Sequence, residues 1–438
     1  MSFETLLQQA ESSISDANYN DRYNGMNQLT ALGVAIPPNV RALEMNVNWD
    51  RLTVDTMSEV LTVDGFESAT MTGENISRIW QVWQSCNMKT LSHLAHTEAM
   101  TQGIAYAIVG MDHRQKIVTN IRPKDNIAVI TDRFGHVQEA VVKYVTDTPD
   151  GEQVATATYY APGVRESYRD ESGMWVRVND GADDYARILD VVPVVPVVNM
   201  MRLGDTMGRS EIDLVSAYTD AASRSFTLLQ LATEILAMPQ RWIIGGDLSK
   251  FRRPDGSIPD IGEIYMGSFL QIGKQDAKVG QFDGANLSQV IDVLKHCAEM
   301  VSAVTGIPGS MLGLNTGNPA SAEAMRAAKE RMISRGEFKQ DVFGDAWETW
   351  ARIVLALSGI AVAPDDTLSA VWRDIAVPSN SAKSAYLLQA HAQGVISSRT
   401  ARDGLPLTPE QRAREDNTHD EATLVGAPSP VMEDMGDV

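Results

Sequence analysis

The chain has 438 residues, of which 44% are hydrophobic, so it can bury a sizeable core and is not globally disordered. Lys and Arg together number 37 against 57 Asp and Glu, which gives a formal net charge of −20. Because so acidic a surface repels phosphate, the composition excludes a protein that coats DNA, although it allows a local basic patch.

Residues 1–115 are predicted to be mostly helical. Within them, Asn75–Gly110 places apolar side chains three and four residues apart, the spacing of an apolar helix face. Residues 116–200 consist of short β-branched and aromatic runs separated by turn formers, which predicts an antiparallel meander. The run Val191–Val198 contains two prolines and is predicted to close the meander as an edge strand or extended segment.

The second half of the chain is predicted to contain three long helices. Ser210 is a predicted N-cap, with Glu211 and Asp213 in the first turn of the helix that it opens. In chain order the sequence predicts a helix over Glu211–Ala237, a Gly- and Pro-rich segment Pro239–Gly284 with β-like pieces at Arg241–Ile244 and Ile264–Ile272, a helix over Leu287–Thr305 capped by Asn286, a polar loop Gly306–Pro319, a helix over Ala320–Leu357, and an acidic tail from Glu415 that is predicted to be disordered.

Neither targeting nor redox chemistry is indicated. The N-terminus lacks the pattern of a secretory signal, and the longest apolar stretches fall short of the roughly 20 residues that span a bilayer. Cys86 and Cys297 form no CxxC pair and are predicted to be free, buried thiols. The sequence therefore predicts a soluble intracellular protein without a membrane partner.

The sequence matches none of the catalytic or metal-binding motifs closely. Gly267–Gln275 approximates a phosphate-binding loop, but it has one spacer residue too many and Gln275 replaces the magnesium-binding Ser or Thr. His93 and His96 lie three residues apart, whereas a zinc helix needs a spacing of four and a third ligand. Two ordinary helix histidines are the favoured interpretation.

Paired carboxylates are predicted to be solvated turn and tail charges, and they occur at Asp183-Asp184, Asp365-Asp366 and Glu415-Asp416. GxSxG and GxGxxG motifs are absent. We therefore predict a protein that is not an enzyme and that has no metal and no cofactor, since a hydrolase would need a constellation that the sequence does not offer.

Five segments, taken in order, resemble the portal (head–tail connector) proteins of tailed double-stranded DNA bacteriophages, and most closely those of siphophages of Gram-positive bacteria. The segments are Asn48–Thr56 followed by Leu61–Phe66, Pro193–Asn199 followed by Gly208–Ile212, Ala237–Gly245, Thr305–Pro308 followed by Leu312-Gly313, and Asn318–Ala324 followed by Arg326. The resemblance covers about residues 35–360, and the flanking parts match only loosely.

The resemblance implies an α+β, mainly α, subunit with an α/β wing and a stem crossed twice by the chain. Carried over to this numbering, it implies a wing at 1–210 with the meander at 116–200, a first stem helix at 211–238, a clip at 239–285, a second stem helix at 286–305, a tunnel loop at 306–319, a long helix and return to the wing at 320–377, a small crown at 378–414, and the disordered acidic tail at 415–438.

The resemblance also implies a function. Family members form a ring, usually of twelve subunits, at one capsid vertex, and DNA is packaged and ejected through the central channel. The implied partners are further copies of this chain, weakly and non-specifically held double-stranded DNA, the terminase large subunit, a head-completion or adaptor protein, and the major capsid and scaffolding proteins. The implied location is the virion, with the host cytoplasm during assembly.

Two sets of residues follow as candidate sites. The uncharged tunnel-loop residues Leu314, Asn315, Thr316, Gly317 and Asn318 would form a contact that yields while DNA slides. Basic residues of the clip would pair with acidic partner surfaces, or would be ordinary solvated charges, and they are Lys250, Arg252, Arg253, Lys274 and Lys278. The alternative function is another oligomeric virion protein, such as a head-completion or capsid component.

Overall fold

Helices and strands are mixed throughout the computed structural model. It describes residues 3–27, 45–147, 153–178, 188–200, 202–236, 241–244, 278–281, 287–314, 322–363, 365–376 and 380–405. The helices are α1 (Phe3–Ser12), α2 (Ala17–Asn24), α3 (Trp49–Val60), α4 (Gly73–Ser85), α5 (Met88–Gln102), α6 (Ser216–Leu236), α7 (Ser288–Thr305), α8 (Ala322–Leu357), α9 (Asn380–Ala392) and α10 (Ser398–Gly404). The strands are β1 (Val63–Glu67), β2 (Ile104–Met111), β3 (Ile117–Pro123), β4 (Ile127–Thr131), β5 (Val137–Asp147), β6 (Gln153–Ala161), β7 (Val164–Glu171), β8 (Met174–Val178), β9 (Val194–Val198), β10 (Arg241–Ile244), β11 (Lys278–Gln281) and β12 (Ser369–Trp372).

The predicted meander is confirmed for β4 to β8, where each strand pairs antiparallel with the next in a five-stranded sheet. Strand β7 was not predicted, because its charged residues hide the alternation. The prediction that Val191–Val198 closes this meander is wrong, since β9 pairs with β2 in a separate sheet of order β3-β2-β9. Its predicted edge position is confirmed, as suits a strand that carries Pro196 and so lacks a ladder donor.

The predicted helix over Asn75–Gly110 is wrong in two places. Asn87, at φ 55°, separates α4 from α5, and Gly103, at φ 94°, ends α5. The residues after Gly103 form β2, the central strand of its sheet. Its side chains are buried on both faces over most of its length, so the strand shows a continuous apolar run instead of alternation.

The largest core lies between α4, α5, the three-stranded sheet β3-β2-β9 and the C-terminal half of α8. Trp83 is at its centre and makes edge-to-face contacts with Trp347 and Trp350, at centroid distances of 5.6 and 5.2 Å. Strand β12, which follows α8, pairs with β1 and so returns the chain to the N-terminal region. Cys86 is half-buried beside this core rather than buried, and its Sγ lies 3.3 Å from the Ile117 carbonyl oxygen.

His96 is a core residue of this cluster. Its Nε2 accepts a hydrogen bond of 2.9 Å from Trp347 Nε1, and its ring stacks on Phe343 at 4.8 Å. Burial, followed by repulsion from His93, lowers the pKa of His96 from 6.5 to about 3. The side chain is therefore a neutral acceptor committed to the core, and among the described residues no group of three or more ligands could hold a metal ion.

We expect His96 to make folding pH-dependent. Below pH 6.5 the unfolded chain protonates this imidazole while the folded core does not, until the pH reaches about 3. Stability should therefore fall as the pH falls, by about 3 kcal/mol between pH 6.5 and pH 4. Urea denaturation followed by tryptophan fluorescence should show this slope in the wild type and in the surface variant His113→Gln. The slope should be reduced in His96→Gln, and an unchanged slope in that variant would contradict the assignment.

Candidate functional site at the base of two long helices

Helices α6 and α7 pack against each other and form what we call the stem pair. The shared core at its base contains Trp49, Val215, Ala222, Cys297, Ala298, Val301, Ile307 and Leu312. The predicted helix over Leu287–Thr305 is confirmed at Ser288–Thr305, and its role as a stem helix stays a prediction. Its predicted cap, Asn286, lies outside the described residues, and the residue before the helix is Leu287, which makes no side-chain capping bond. Cys297 is buried in this core, as predicted.

The helix predicted to begin at Glu211 starts later than expected. Ser210 is an N-cap, as predicted, and its Oγ accepts a hydrogen bond of 3.2 Å from the Ile212 amide. However, Ser210 caps a 3-10 turn over Glu211–Leu214, and the α-helix starts only at Ser216. The single helix predicted from Glu211 is thus wrong for its first turn. The tighter turn accompanies the burial of two consecutive side chains, Glu211 and Ile212.

A buried ion cluster lies at this turn. Glu211 is only 1% exposed, and its two carboxylate oxygens contact Arg335 Nη2 at 2.5 Å and Lys339 Nζ at 2.7 Å. Lys339 also donates to Asn199 Oδ1, and Asn199 Nδ2 donates to Glu211 Oε1 at 3.3 Å. Arg335 Nη1 donates to the Thr305 carbonyl at 2.5 Å, at the end of α7. This ion cluster, defined by Asn199, Glu211, Arg335 and Lys339, therefore joins α8 to the 3-10 turn that precedes α6 and to the end of α7.

The ion cluster also sets the charges of its members. Burial alone would raise the pKa of Glu211, but the adjacent Lys339 and Arg335 outweigh it and hold that pKa below its usual value. Burial lowers the pKa of Lys339, and Glu211 opposes this effect. The carboxylate is thus charged at neutral pH because both cations are present. Each member depends on the others, since an unpaired charge at this depth would be strongly destabilising.

A second polar cluster ties the N-terminal region to α6. Arg22 bridges two carboxylates, donating to Asp50 at 3.0 Å and to Asp220 at 3.0 and 2.8 Å. Burial raises the pKa of Asp50, against the opposing effect of Arg22. The amide of Val47 donates to Ser223 Oγ on α6 at 3.1 Å. The base of the stem pair is therefore fixed from the α3 side as well as from α8.

The described part of the predicted tunnel loop is packed. Ile307 and Leu312 are buried in the stem core, a 3-10 turn covers Gly309–Leu312, and Leu314 is partly buried against the same core. The other four predicted loop residues, Asn315, Thr316, Gly317 and Asn318, lie outside the described residues. The loop after α7 thus leaves the stem through a defined path up to Leu314.

The predicted clip is described only in part. The β-like piece at Arg241–Ile244 is confirmed as β10, which pairs antiparallel with β11. Lys278, at the start of β11, is exposed and stands opposite Ile244 in the register. The β-like piece Ile264–Ile272 lies outside the described residues. So do the other four predicted docking residues, which are Lys250, Arg252, Arg253 and Lys274. The docking role of all five residues stays a prediction.

Other sequence candidates have structural roles or lie outside the described residues. Asp366 Oδ2 accepts a hydrogen bond of 2.8 Å from the Ala363 amide and so closes a turn. The approximate phosphate-binding loop Gly267–Gln275, the pair Asp183-Asp184 and the acidic tail from Glu415 are not among the described residues. In the part of the chain that the structure describes, no helix combines the length and apolarity needed to cross a membrane.

Sequence reasoning missed Asn199, Arg335 and Lys339. Arg335 and Lys339 lie four residues apart on α8 and look like ordinary surface charges of a long helix in the sequence. Their partner Glu211 precedes Arg335 by 124 positions, so no local pattern connects them. The only local signal was Glu211 itself, which we interpreted as a favourable charge at a helix N-terminus.

Comparison with known proteins identifies the class. The family model "Phage portal protein, SPP1 Gp6-like" matches residues 5–421. The chain therefore belongs to the SPP1 Gp6-like family of phage portal proteins, as the resemblance predicted, and the alternative of a different virion protein is disfavoured.

Two curated relatives agree with the family assignment. The chain is 31% identical to the portal protein of Mycobacterium phage D29, over 95% of this chain and 88% of that protein. It is 30% identical to the portal protein of Mycobacterium phage L5, over 94% of this chain and 86% of that protein.

Similar solved structures come from a gene transfer agent. A chain of its native virion aligns with a TM-score of 0.49 at 14% identity, over 89% of this chain and 99% of that one. A chain of its native neck, computed with C12 symmetry, aligns with a TM-score of 0.47 at 14% identity, over the same shares.

Proposed function

We propose that the chain forms a closed ring of twelve subunits, the usual number in its family. The central channel of this ring carries double-stranded DNA into and out of the capsid at one vertex. Family membership is the observation that carries the proposal. In this assignment the wing is residues 1–210, the stem helices are 211–238 and 286–305, the clip is 239–285, the tunnel loop is 306–319, the long helix and its return are 320–377, and the crown is 378–414.

The stem pair supports a ring. Ile291 and Val293 on α7 remain exposed, at 41% and 49%, and most described residues of α6 beyond Ser223 are only half-buried. A two-helix stem cannot cover apolar side chains on several faces by itself. In a ring each subunit offers two different faces to its neighbours, which would cover both sides of the stem pair.

The charge supports a channel that does not bind its cargo tightly. DNA that moves through a channel must not be held by many Lys and Arg side chains that neutralise its phosphates. A net charge of −20 per subunit disfavours such contacts. The role is structural rather than enzymatic. The proposed partners are the terminase large subunit, a head-completion or adaptor protein, and the capsid and scaffolding proteins, with the clip lysines and arginines as docking residues.

Negative-stain microscopy of the purified protein tests the ring directly. We expect particles with a central hole at micromolar subunit concentration, and sedimentation as a single large species. A protein that stays monomeric under these conditions would contradict the proposed function.

Deletion of Asn315–Asn318 tests the tunnel loop. The deletion begins just beyond Leu314, so the buried contacts of Ile307 and Leu312 remain. We expect rings and thermal stability to be retained, while the amount of nuclease-protected DNA in particles carrying the variant falls at least tenfold. Loss of folding would instead show that the deleted residues are core structure.

A further inference from the structure

A pinned loop leads from β9 to the 3-10 turn before α6, and we call its residues 202–208 the junction loop. Asn199 and Arg209 hold its two ends together, through Asn199 Nδ2 to the Arg209 carbonyl at 2.6 Å and the Arg209 amide to the Asn199 carbonyl at 3.1 Å. Inside the loop, the Asp205 amide donates to the Arg202 carbonyl oxygen at 3.0 Å, and the Gly208 amide donates to the Asp205 carbonyl oxygen at 2.9 Å. Hydrogen bonds therefore fix the junction loop both at its flanking residues and from within.

Apolar side chains of the junction loop, and of Met200 just before it, are exposed. Leu203 is 100% exposed and Met207 is 58% exposed, and Met200 is exposed as well. Exposed apolar side chains held on an ordered loop are typical of an interaction surface, because their burial by a partner costs little conformational entropy.

A matching cavity lies on α3 and the segment before it, and we call it the socket. It has a volume of about 350 Å³ and is lined by Val47, Asn48, Trp49, Arg51, Leu52 and Asp55. Val47 and Leu52 pack against the stem core only in part. The socket therefore presents apolar side chains to solvent with room for one aliphatic side chain.

The junction loop and the socket both lie next to the start of α6. The loop is followed by Ser210, which caps the 3-10 turn Glu211–Leu214, and the socket residue Trp49 shares the stem core with Val215, the residue after that turn. Neighbours in a ring are related by rotation about the axis, so a feature can meet only features of the next subunit at its own height. We propose that Leu203 of one subunit inserts into the socket of the next, an inference that rests on the proposed ring.

The charges at the two rims fit this contact. Arg202, beside Leu203, is exposed and makes only a long contact of 3.6 Å to Asp205. Asp55 on the socket rim is 29% exposed, and it accepts from Arg51 at 2.9 Å and from Tyr23 at 2.7 Å. Arg202 of a neighbouring subunit would add a further cation beside this carboxylate as the loop enters. A second copy of this chain is therefore the occupant that the surfaces fit.

Cysteine cross-linking tests the contact. In a background with Cys86→Ser and Cys297→Ala, the double variant Leu203→Cys/Leu52→Cys should, on oxidation, give a ladder of covalent oligomers that extends beyond the dimer. Each single variant should give dimers at most, because a loop-to-socket contact joins two different faces. Rings seen by microscopy without a ladder would overturn the contact and leave the proposed channel standing. Absence of rings before oxidation would overturn the proposed function and the contact together.

A second variant measures the contribution of Leu203. Because this side chain is fully exposed in the subunit, Leu203→Ser cannot act through the subunit core. We expect the subunit concentration at half-assembly to rise at least tenfold. The matched control is Phe134→Ser, at another exposed turn, which should leave assembly unchanged. Equal effects of the two substitutions would overturn the proposal.

Discussion

Glu211→Gln should lower the free energy of unfolding by about 3–5 kcal/mol, because it leaves two cations in the core without their carboxylate. Arg335 and Lys339 both contact Glu211, at 2.5 and 2.7 Å, and Lys339 is itself only 3% exposed. The glutamine amide can accept from one of them, but its NH₂ group then faces the other. Urea denaturation at pH 7, followed by tryptophan fluorescence, measures the loss.

Two controls separate the buried charge from ion pairing in general. Lys339→Met leaves Glu211 paired with Arg335, so we expect a smaller loss of about 1–3 kcal/mol. Asp64→Asn removes a surface pair of similar length, 2.8 Å to Arg373, where both side chains are about half exposed. That substitution should cost less than about 1 kcal/mol. A Glu211→Gln variant as stable as Asp64→Asn would show that the ion cluster contributes nothing beyond a surface pair.

The position of the ion cluster explains why so costly an arrangement can be useful. It holds the 3-10 turn before α6, the end of α7 and the middle of α8 at one point. Fixed carboxylate–guanidinium and carboxylate–ammonium geometry specifies one crossing. In a ring, a small error in this angle would accumulate around the circumference, so a defined stem base favours closure.

The sequence predicted the elements that carry local signals. The apolar periodicity of α7, the helix-forming composition of α8 and the β-branched runs of β4, β5, β6 and β8 predicted these elements to within a few residues. Strand β2 failed because a strand buried on both faces has no alternation. The ion cluster could not be predicted, since Lys339 and Asn199 lie 140 positions apart and Glu211 looks like a normal first-turn residue.

Among the glycines that the structure describes, folding should be most sensitive to Gly208→Ala. Gly208, at φ +71°, and Gly103, at φ +94°, cross each other with their backbones in contact. A Cβ added at Gly208 would lie 1.9 Å from the Gly103 carbonyl oxygen, a distance that requires backbone to move. Because Asn199 also donates its amide to that carbonyl, at 2.8 Å, the movement would reach the ion cluster. We expect a loss of at least about 3 kcal/mol.

Gly163→Ala is the matched control, since Gly163 has φ +72° but no atom within 4 Å of an added Cβ. It should show only the backbone strain of a left-handed residue, about 1–2 kcal/mol. Denaturation of both variants under one condition gives the difference that is due to the crossing. Equal losses would mean that the two backbones separate easily. The junction loop would then not be held in place by its closest contact, and Leu203 would not be displayed rigidly.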